Sequence, residues 1–390
     1  MASSSMSNNL DGLDPAIVAT ALERVRQPLD QARHLPGELY TSPAVLEREV
    51  QRIFRSDWLC VARVEELPRP GSYLATRVMN EPVLLTRDED GGVNAFVNLC
   101  RHRGVQLLED GAGDLGEARG MSCPYHGWSY DLKGCLTAAP LMNRSAGFSS
   151  KSIRLLTLRS DTWAGWIFIT FDDQARPLHE FTAAVNKDIG FLQQERCRVG
   201  HKLVSIWNCN WKFVTENLCD PYHFRALHAK TFGPRIPVEH YNFDLRERGG
   251  SSAFYDASSQ TPDGDAPLGP MPWLANHSRE MSAFAFLAPN VALVGRIDEF
   301  HVYTVWPEAV DRTRVVLYHL FAADHFDRPD FDEKSRVYAD FLAKVVEEDA
   351  SVAPYLQQAA LSRNFHPGQL AWPEKAVHHQ MQYVVERTFA

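Results

Sequence analysis

The chain has 390 residues, 45% hydrophobic and 23% charged, the balance of a globular protein long enough for two or three domains and inconsistent with a mainly disordered chain. A formal net charge of -9 argues against nucleic acid as a partner, because phosphate binding needs a concentrated basic surface. The opening MASSSMSNNLDG has neither a basic n-region nor an apolar h-region, and the apolar runs Trp163–Phe171 and Phe284–Gly295 fall short of a membrane span, so a cytoplasmic protein without membrane association is expected. In that compartment the seven cysteines do not imply a disulfide framework, and the question becomes which of them bind metal.

In chain order, Ser42–Arg55 reads as an amphipathic helix, with Ser42 as N-cap and Pro43 at the first helical position. From Asp57 to about Phe171 short β-type runs follow (Trp58–Val61, Gly71–Arg77, Val83–Arg87, Val93–Leu99), broken by Pro68, Pro70, Gly71 and Gly91-Gly92. Trp163–Phe171 reads as one strand leaving this all-β unit. Strands are expected at Val291–Val294, His301–Trp306 and Thr313–Phe321, with Pro307–Arg312 as a hairpin turn, and a long helix at Asp332–Arg363. The fold class is therefore α+β. A helical lead-in (1–56) belongs with a second domain (172–390), and a small all-β module (57–171) is inserted between them.

Two Cys-His pairs lie in the β module. Asn98–Gly104 reads NLCRHRG and Ser122–Trp128 reads SCPYHGW. Cys100, His102, Cys123 and His126 thus sit on two short loops, each offering two ligands to one centre. Two thiolates and two imidazoles suit either a structural zinc or an iron–sulfur cluster. C-x-H is short for a zinc ribbon, and Pro124, Gly127 and Trp128 suggest tight loops covering a cluster, with Gly104 allowing close backbone approach. These residues resemble the Rieske [2Fe–2S] domain, with CRHRG and CPYHGWSYDLKG as its loops. The interval between the loops is a few residues longer than the family's, and the surplus is placed in Gly111–Gly120 as a hairpin tip. Gly111, Gly113 and Gly116 there match GxGxxG spacing, but no βαβ unit surrounds them, so the stretch reads as a flexible turn.

A second constellation lies in Asn210–His228, NWKFVTENLCDPYHFRALH. Asp220 and His223 share a helix face, whereas His223 and His228 are offset by roughly 140° on a regular helix. They converge only if the helix is distorted, and Pro221 supplies a cause; alternatively Asp220-Pro221 opens a new helix. Two core histidines and a capping Asp would be the bland reading. A facial triad of two His and one carboxylate would hold iron with positions left open. For the carboxylate, Asp349 falls on an apolar stripe with Val345, Val352 and Leu356, and Glu348 falls on another, so the pattern does not separate them.

The Rieske module, then D-P-Y-H-x4-H, then Glu348-Asp349 with Gln357 eight positions on, together resemble the catalytic α subunit of Rieske non-haem iron oxygenases, from about Asp57 to the C-terminus. Phe54–Trp58 (F-x2-D-W) resembles the family's lead-in. The resemblance implies a Rieske [2Fe–2S] domain inserted near the N-terminus of a helix-grip-like antiparallel-sheet catalytic domain. It implies a cluster on Cys100, His102, Cys123 and His126, and mononuclear Fe(II) on His223, His228 and Asp349. It implies a homotrimer in which Asp220 bridges the cluster of one subunit to the iron of its neighbour. It also implies a ferredoxin and/or NAD(P)H-dependent reductase as electron donor, since no FAD or NAD site is apparent in the chain. The expected activity is O2-dependent monooxygenation of a small aromatic or N-alkyl compound, by hydroxylation or oxidative N-/O-dealkylation, with Asn217, Phe224 and Leu227 as pocket residues. Alternatives are cis-dihydroxylation of an aromatic ring, or a non-redox zinc-containing binding protein. DPYH resembles the motif of several aromatic-acid oxygenases, whereas His366–Arg387 resembles α-only members that hydroxylate or demethylate, quaternary-amine oxygenases among them. The adjacent His378 and His379 are assigned no role.

Overall fold

The computed structural model describes residues 13–116 and 120–389. Part of the expected surplus at Gly111–Gly120 therefore lies outside the described residues. The chain forms two compact units, one from the residues up to Phe54 together with those from Val199, the other from Arg55 to Arg198. No helix among the described residues is long and apolar enough to cross a membrane.

The first unit opens with helix α1 (Pro15–Arg26), capped by the Asp14 side chain on Ala16 N–H. A single turn, α2 (Glu38–Thr41), leads into α3 (Pro43–Glu49). Ser42 caps α3 through Val45 N–H, with Pro43 at its first position. The expected helix continues only as a wider π-type turn, Val50–Phe54.

In the second unit a seven-stranded antiparallel sheet has the order β1-β10-β9-β4-β3-β2-β5. Its strands are β1 (Leu59–Arg63), β2 (Ser72–Val78), β3 (Glu81–Arg87), β4 (Val93–Val97), β5 (Gly111–Asp114), β9 (Thr157–Trp163) and β10 (Trp166–Thr170). A second small sheet holds β6 (Gly120–Ser122), β7 (Ser129–Asp131) and β8 (Leu136–Ala138). Two sequence expectations change here. The run Trp163–Phe171 is not one strand: Ala164 and Gly165 both have positive φ, 51° and 80°, and turn the chain into the β9–β10 hairpin. Gly111–Asp114 is not a flexible turn but a strand on the edge of β2. A Cβ at Gly113 would lie 2.5 Å from the outer end of the Tyr73 ring, so any larger residue there would displace that side chain. The unit also runs on past residue 171. Helix α4 (Leu178–Ile189) follows, Trp163 Nε1 donates to Asn186, and buried Arg63 donates to the carbonyls of Gln194 and Cys197.

After Val199 the first unit resumes with another seven-stranded antiparallel sheet, ordered β11-β17-β16-β15-β14-β13-β12. The strands are β11 (Cys197–Trp207), β12 (Asn242–Leu245), β13 (Ser251–Asp256), β14 (Met281–Leu287), β15 (Val291–Arg296), β16 (Phe300–Ala309) and β17 (Arg312–Ala322). The β16–β17 turn is only Val310-Asp311, shorter than the Pro307–Arg312 expected. Among the described residues three further helices join α1–α3 in the unit: α5 (Trp211–Leu218), the 30-residue α6 (Phe331–Ala360) and α7 (Lys375–Phe389). Buried polar contacts fix α5. Lys212 Nζ and Trp211 Nε1 both donate to Glu49, at 2.6 and 2.7 Å, and Gln357 of α6 accepts from Asn210 N–H while donating to the Tyr40 carbonyl. Breaking the buried Lys212–Glu49 pair one partner at a time would leave an uncompensated charge in the core.

Candidate metal centres

The two Cys-His loops have one design. Cys100 N–H donates to Val105 C=O, and Gly104 N–H turns back to Cys100 C=O at 2.9 Å. In the second loop Cys123 N–H donates to Trp128 C=O, and Gly127 N–H to Cys123 C=O at 3.0 Å. Gly104 and Gly127 both have left-handed φ, 74° and 70°. The left-handed backbone angle at Gly104 by itself favours glycine, and no protein atom lies within 4 Å of a Cβ built there. The loops hold Cys100 and Cys123 buried within a cluster of Phe96, Met121, Trp128 and Tyr130, whereas His102 and His126 are exposed. The two imidazoles meet with Nδ1 atoms 3.2 Å apart, and the His102 ring stacks on Trp128.

This donor set fits a mixed-ligand diiron cluster, with thiolates on an inner iron and imidazoles on an outer one. The two thiol-bearing residues are buried together while the two imidazoles pair at the exposed loop tips, the division of ligands such a cluster uses. Two residues not singled out in the sequence support the loops. The Tyr130 hydroxyl lies 3.3 Å from Cys100 Sγ and accepts from Arg101 N–H. Asn98 brackets the first loop through the carbonyl and N–H of Leu108. Tyr130 stands two residues after Trp128 in the second loop's own motif, a signal that could have been used.

The group of three donors is His223, His228 and Asp349. His223 Nε2 and His228 Nε2 are 3.2 Å apart, and Asp349 Oδ1 lies 3.5 and 3.1 Å from them. Adjacent ligands of an octahedral ion with bonds of about 2.1 Å lie roughly 3 Å apart, so the three fit one face and leave the opposite face open. The histidines converge because α5 ends at Leu218. Pro221 then opens a short 3-10 turn, Tyr222–Arg225, and no regular helix continues to His228. Asp220 caps that turn, Oδ1 accepting from Tyr222 N–H at 2.6 Å, and its Oδ2 lies 3.2 Å from His223 Nδ1.

Glu348 and Asp349 are separated by position. Asp349 Oδ1 faces the two imidazoles. Glu348 stands behind one of them, with Oε2 2.7 Å from His228 Nδ1 and accepting from the Thr231 hydroxyl at 2.8 Å. Such a carboxylate fixes the ring orientation and tautomer of a ligand histidine. Asn217 Nδ2 donates to Asp349 Oδ1 at 3.1 Å, so Asn217 positions a donor as well as lining the cavity. The three donors open into a cavity whose walls include Asn217, Phe224, Phe232, Tyr241, Tyr255 and Tyr303. Leu227, expected there, is not among the residues lining it; the short turn after Pro221 orients Phe224 inward instead. One turn before Asp220, burial raises the Glu216 carboxyl to about 7, against the opposing effects of His34, Tyr40 and Lys212. Burial also holds the Cys219 thiol well above its ordinary range, so it stays protonated at the cavity wall.

The comparisons with known proteins agree with both centres. The model for the Rieske [2Fe-2S] domain matches residues 57–155, and that for the ring hydroxylating alpha subunit (catalytic domain) matches 194–389. The anthranilate 1,2-dioxygenase large subunit of Burkholderia cepacia is 35% identical over 219 residues, 52% of this chain and 50% of that one. The carnitine monooxygenase oxygenase subunit of Acinetobacter baumannii is 30% identical over 216 residues, 54% of this chain and 57% of that one. The chain thus spans about half the length of these curated relatives. A crystal structure of the quaternary ammonium Rieske monooxygenase CntA with L-carnitine superposes with a TM-score of 0.77 at 20% identity, covering 96% of this chain and 99% of that one, and shows the shared fold. In this family the Rieske domain carries a [2Fe–2S] cluster and the catalytic domain binds mononuclear iron. The chain belongs to the Rieske non-haem iron oxygenases, as a ring-hydroxylating α subunit.

Proposed function

We propose that the chain is the terminal oxygenase component of a multicomponent Rieske system. It monooxygenates a small aromatic or N-alkyl compound with O2, by hydroxylation or oxidative N-/O-dealkylation, using electrons from a separate ferredoxin and/or NAD(P)H-dependent reductase. One observation carries this reading: three donors on one face, with the opposite face turned to an aromatic-walled cavity. Iron bound there would supply oxygen activation. The side chains do the rest. Glu348 orients His228, Asn217 orients Asp349, and the aromatic walls exclude water and hold a flat or alkyl substrate beside the open face.

Asp220 is proposed to link the two kinds of centre across a subunit interface in a homotrimer. Both its oxygens are engaged locally, yet each keeps a lone pair and the side chain is part-exposed, so it can accept a further imidazole N–H. It can therefore both cap its turn and bridge. A second reading, cis-dihydroxylation of an aromatic ring, is favoured by the relative named a 1,2-dioxygenase. The test is single turnover of the reduced, iron-loaded protein in 18O2 with candidate arenes and N-alkyl amines. One labelled oxygen in the product, or an aldehyde released by dealkylation, supports monooxygenation. Two labelled oxygens in a cis-diol support the second reading, and no substrate-dependent product from either class overturns both.

A further inference from the structure

One rung of the seven-stranded sheet containing β11–β17 runs Phe243–Ala253–Phe284–Val294–His301–His319 across six strands. Directly opposed residues point to the same face of a sheet. Phe243, Phe284, Val294 and His301 accordingly line the cavity beside the three metal donors. The rung is apolar until His301, and the polar end is built. Glu299, fully buried before β16, reaches both final members: its Oε2 lies 3.1 Å from His301 Nδ1 and its Oε1 2.7 Å from His319 Nδ1.

We infer that His301 is the substrate-reading acceptor of this cavity, and that the substrate meets it with an N–H or O–H donor. A carboxylate only accepts, so His301 Nδ1 carries the proton toward Glu299. Burial alone would raise the Glu299 pKa, but His301 and His319 outweigh it and bring it down to about 2, so Glu299 is ionised. Burial lowers the pKa of His301, so the ring is neutral and Nε2 holds a lone pair. Among the described residues nothing hydrogen-bonds that Nε2. Gln260, also at the cavity wall and 5% exposed, has a buried carbonyl oxygen without a partner. Two acceptors therefore await a donor, and no Lys or Arg is among the described residues lining the cavity to hold an anion. The substrate class narrows to a neutral or cationic aromatic or N-alkyl compound that keeps an N–H or O–H beside its apolar part. This rests on the oxygenase reading only in taking the cavity as the substrate site.

The test is equilibrium dialysis of the iron-loaded, cluster-bearing protein against aniline and toluene, a near-isosteric pair with and without a donor, and against benzoate, a larger anion that only accepts. Because an acceptor left unpaired in a buried site penalises the ligand that cannot reach it, aniline should bind about fivefold or more tighter than toluene, with benzoate no better than toluene. In His301→Leu the aniline preference should fall severalfold, and in His301→Leu with Gln260→Leu to about one, with iron content unchanged as a check on folding. Equal aniline and toluene binding in the native protein overturns the inference whether or not the variant folds. So does tightest binding by benzoate, or a preference undiminished in a folded His301→Leu. Binding needs no turnover, so a protein that shows the preference but no oxygenation would fail the proposed function and keep this site.

Discussion

Glu348→Gln removes one charge from behind His228 while leaving in place the three donors proposed to hold iron, His223, His228 and Asp349. In the native protein the Glu348 carboxylate lies 2.7 Å from His228 Nδ1; the ring is 1% exposed and the carboxylate 26%, so solvent screens the pair only from the Glu348 side. The glutamine carbonyl can keep the contact and the Thr231 hydroxyl bond, but not the charge that makes the imidazole a stronger ligand. Losing such a partner weakens metal affinity by about 10–100-fold, or about 1.4–2.7 kcal/mol. The assay is Fe(II) competition against a chromophoric chelator, read beside the reduced-cluster EPR signal. The cluster belongs to a separate donor set and should be untouched. Glu347→Gln is the control, because Glu347 lies one residue away on the same helix and is exposed. Iron affinity unchanged in Glu348→Gln, or lowered equally in Glu347→Gln, would refute the orienting role.

Three further outcomes are expected. Asp220→Asn should retain cluster and iron yet lose substrate-coupled turnover, measured as product per electron; normal product yield would remove the bridging role. Tyr130→Phe deletes the hydroxyl beside Cys100 Sγ and should lower the cluster reduction potential by about 20–60 mV, the equivalent of one net hydrogen bond in a one-electron couple; protein-film voltammetry measures it, and an unchanged potential contradicts it. Glu216 has a folded pKa raised from 4.5 to about 7, so its contribution to stability is full below 4.5 and is lost as pH rises through 7. Glu216→Gln should gain on the native protein by up to about 3 kcal/mol between those pH values, seen in paired denaturant titrations; a constant difference across the window would contradict it.

What could be read from the sequence was whatever lies close together along the chain. Cys100 with His102, and Cys123 with His126, are loop neighbours. Pro221 announced a break between helix α5 and the metal-facing turn. The division of labour between Glu348 and Asp349 was not legible, because both lie on apolar stripes of one helix and only the packed position of His228 tells front from back. The Glu299–His301–His319 group was hidden for a related reason: strand register, not sequence spacing, sets His301 opposite His319. The Ala164-Gly165 hairpin was missed because the alternation of WAGWIFITF reads as one run, and β5 because glycines conceal an edge strand that lies beside the Tyr73 ring.

The most direct test of two metal centres in one chain is iron and acid-labile sulfide per chain on anaerobically purified protein, with EPR after dithionite reduction. The account predicts about three irons and two sulfides per chain and a reduced-cluster signal of the mixed Cys/His type. Zinc without sulfide, persisting after anaerobic cluster reconstitution, would contradict it.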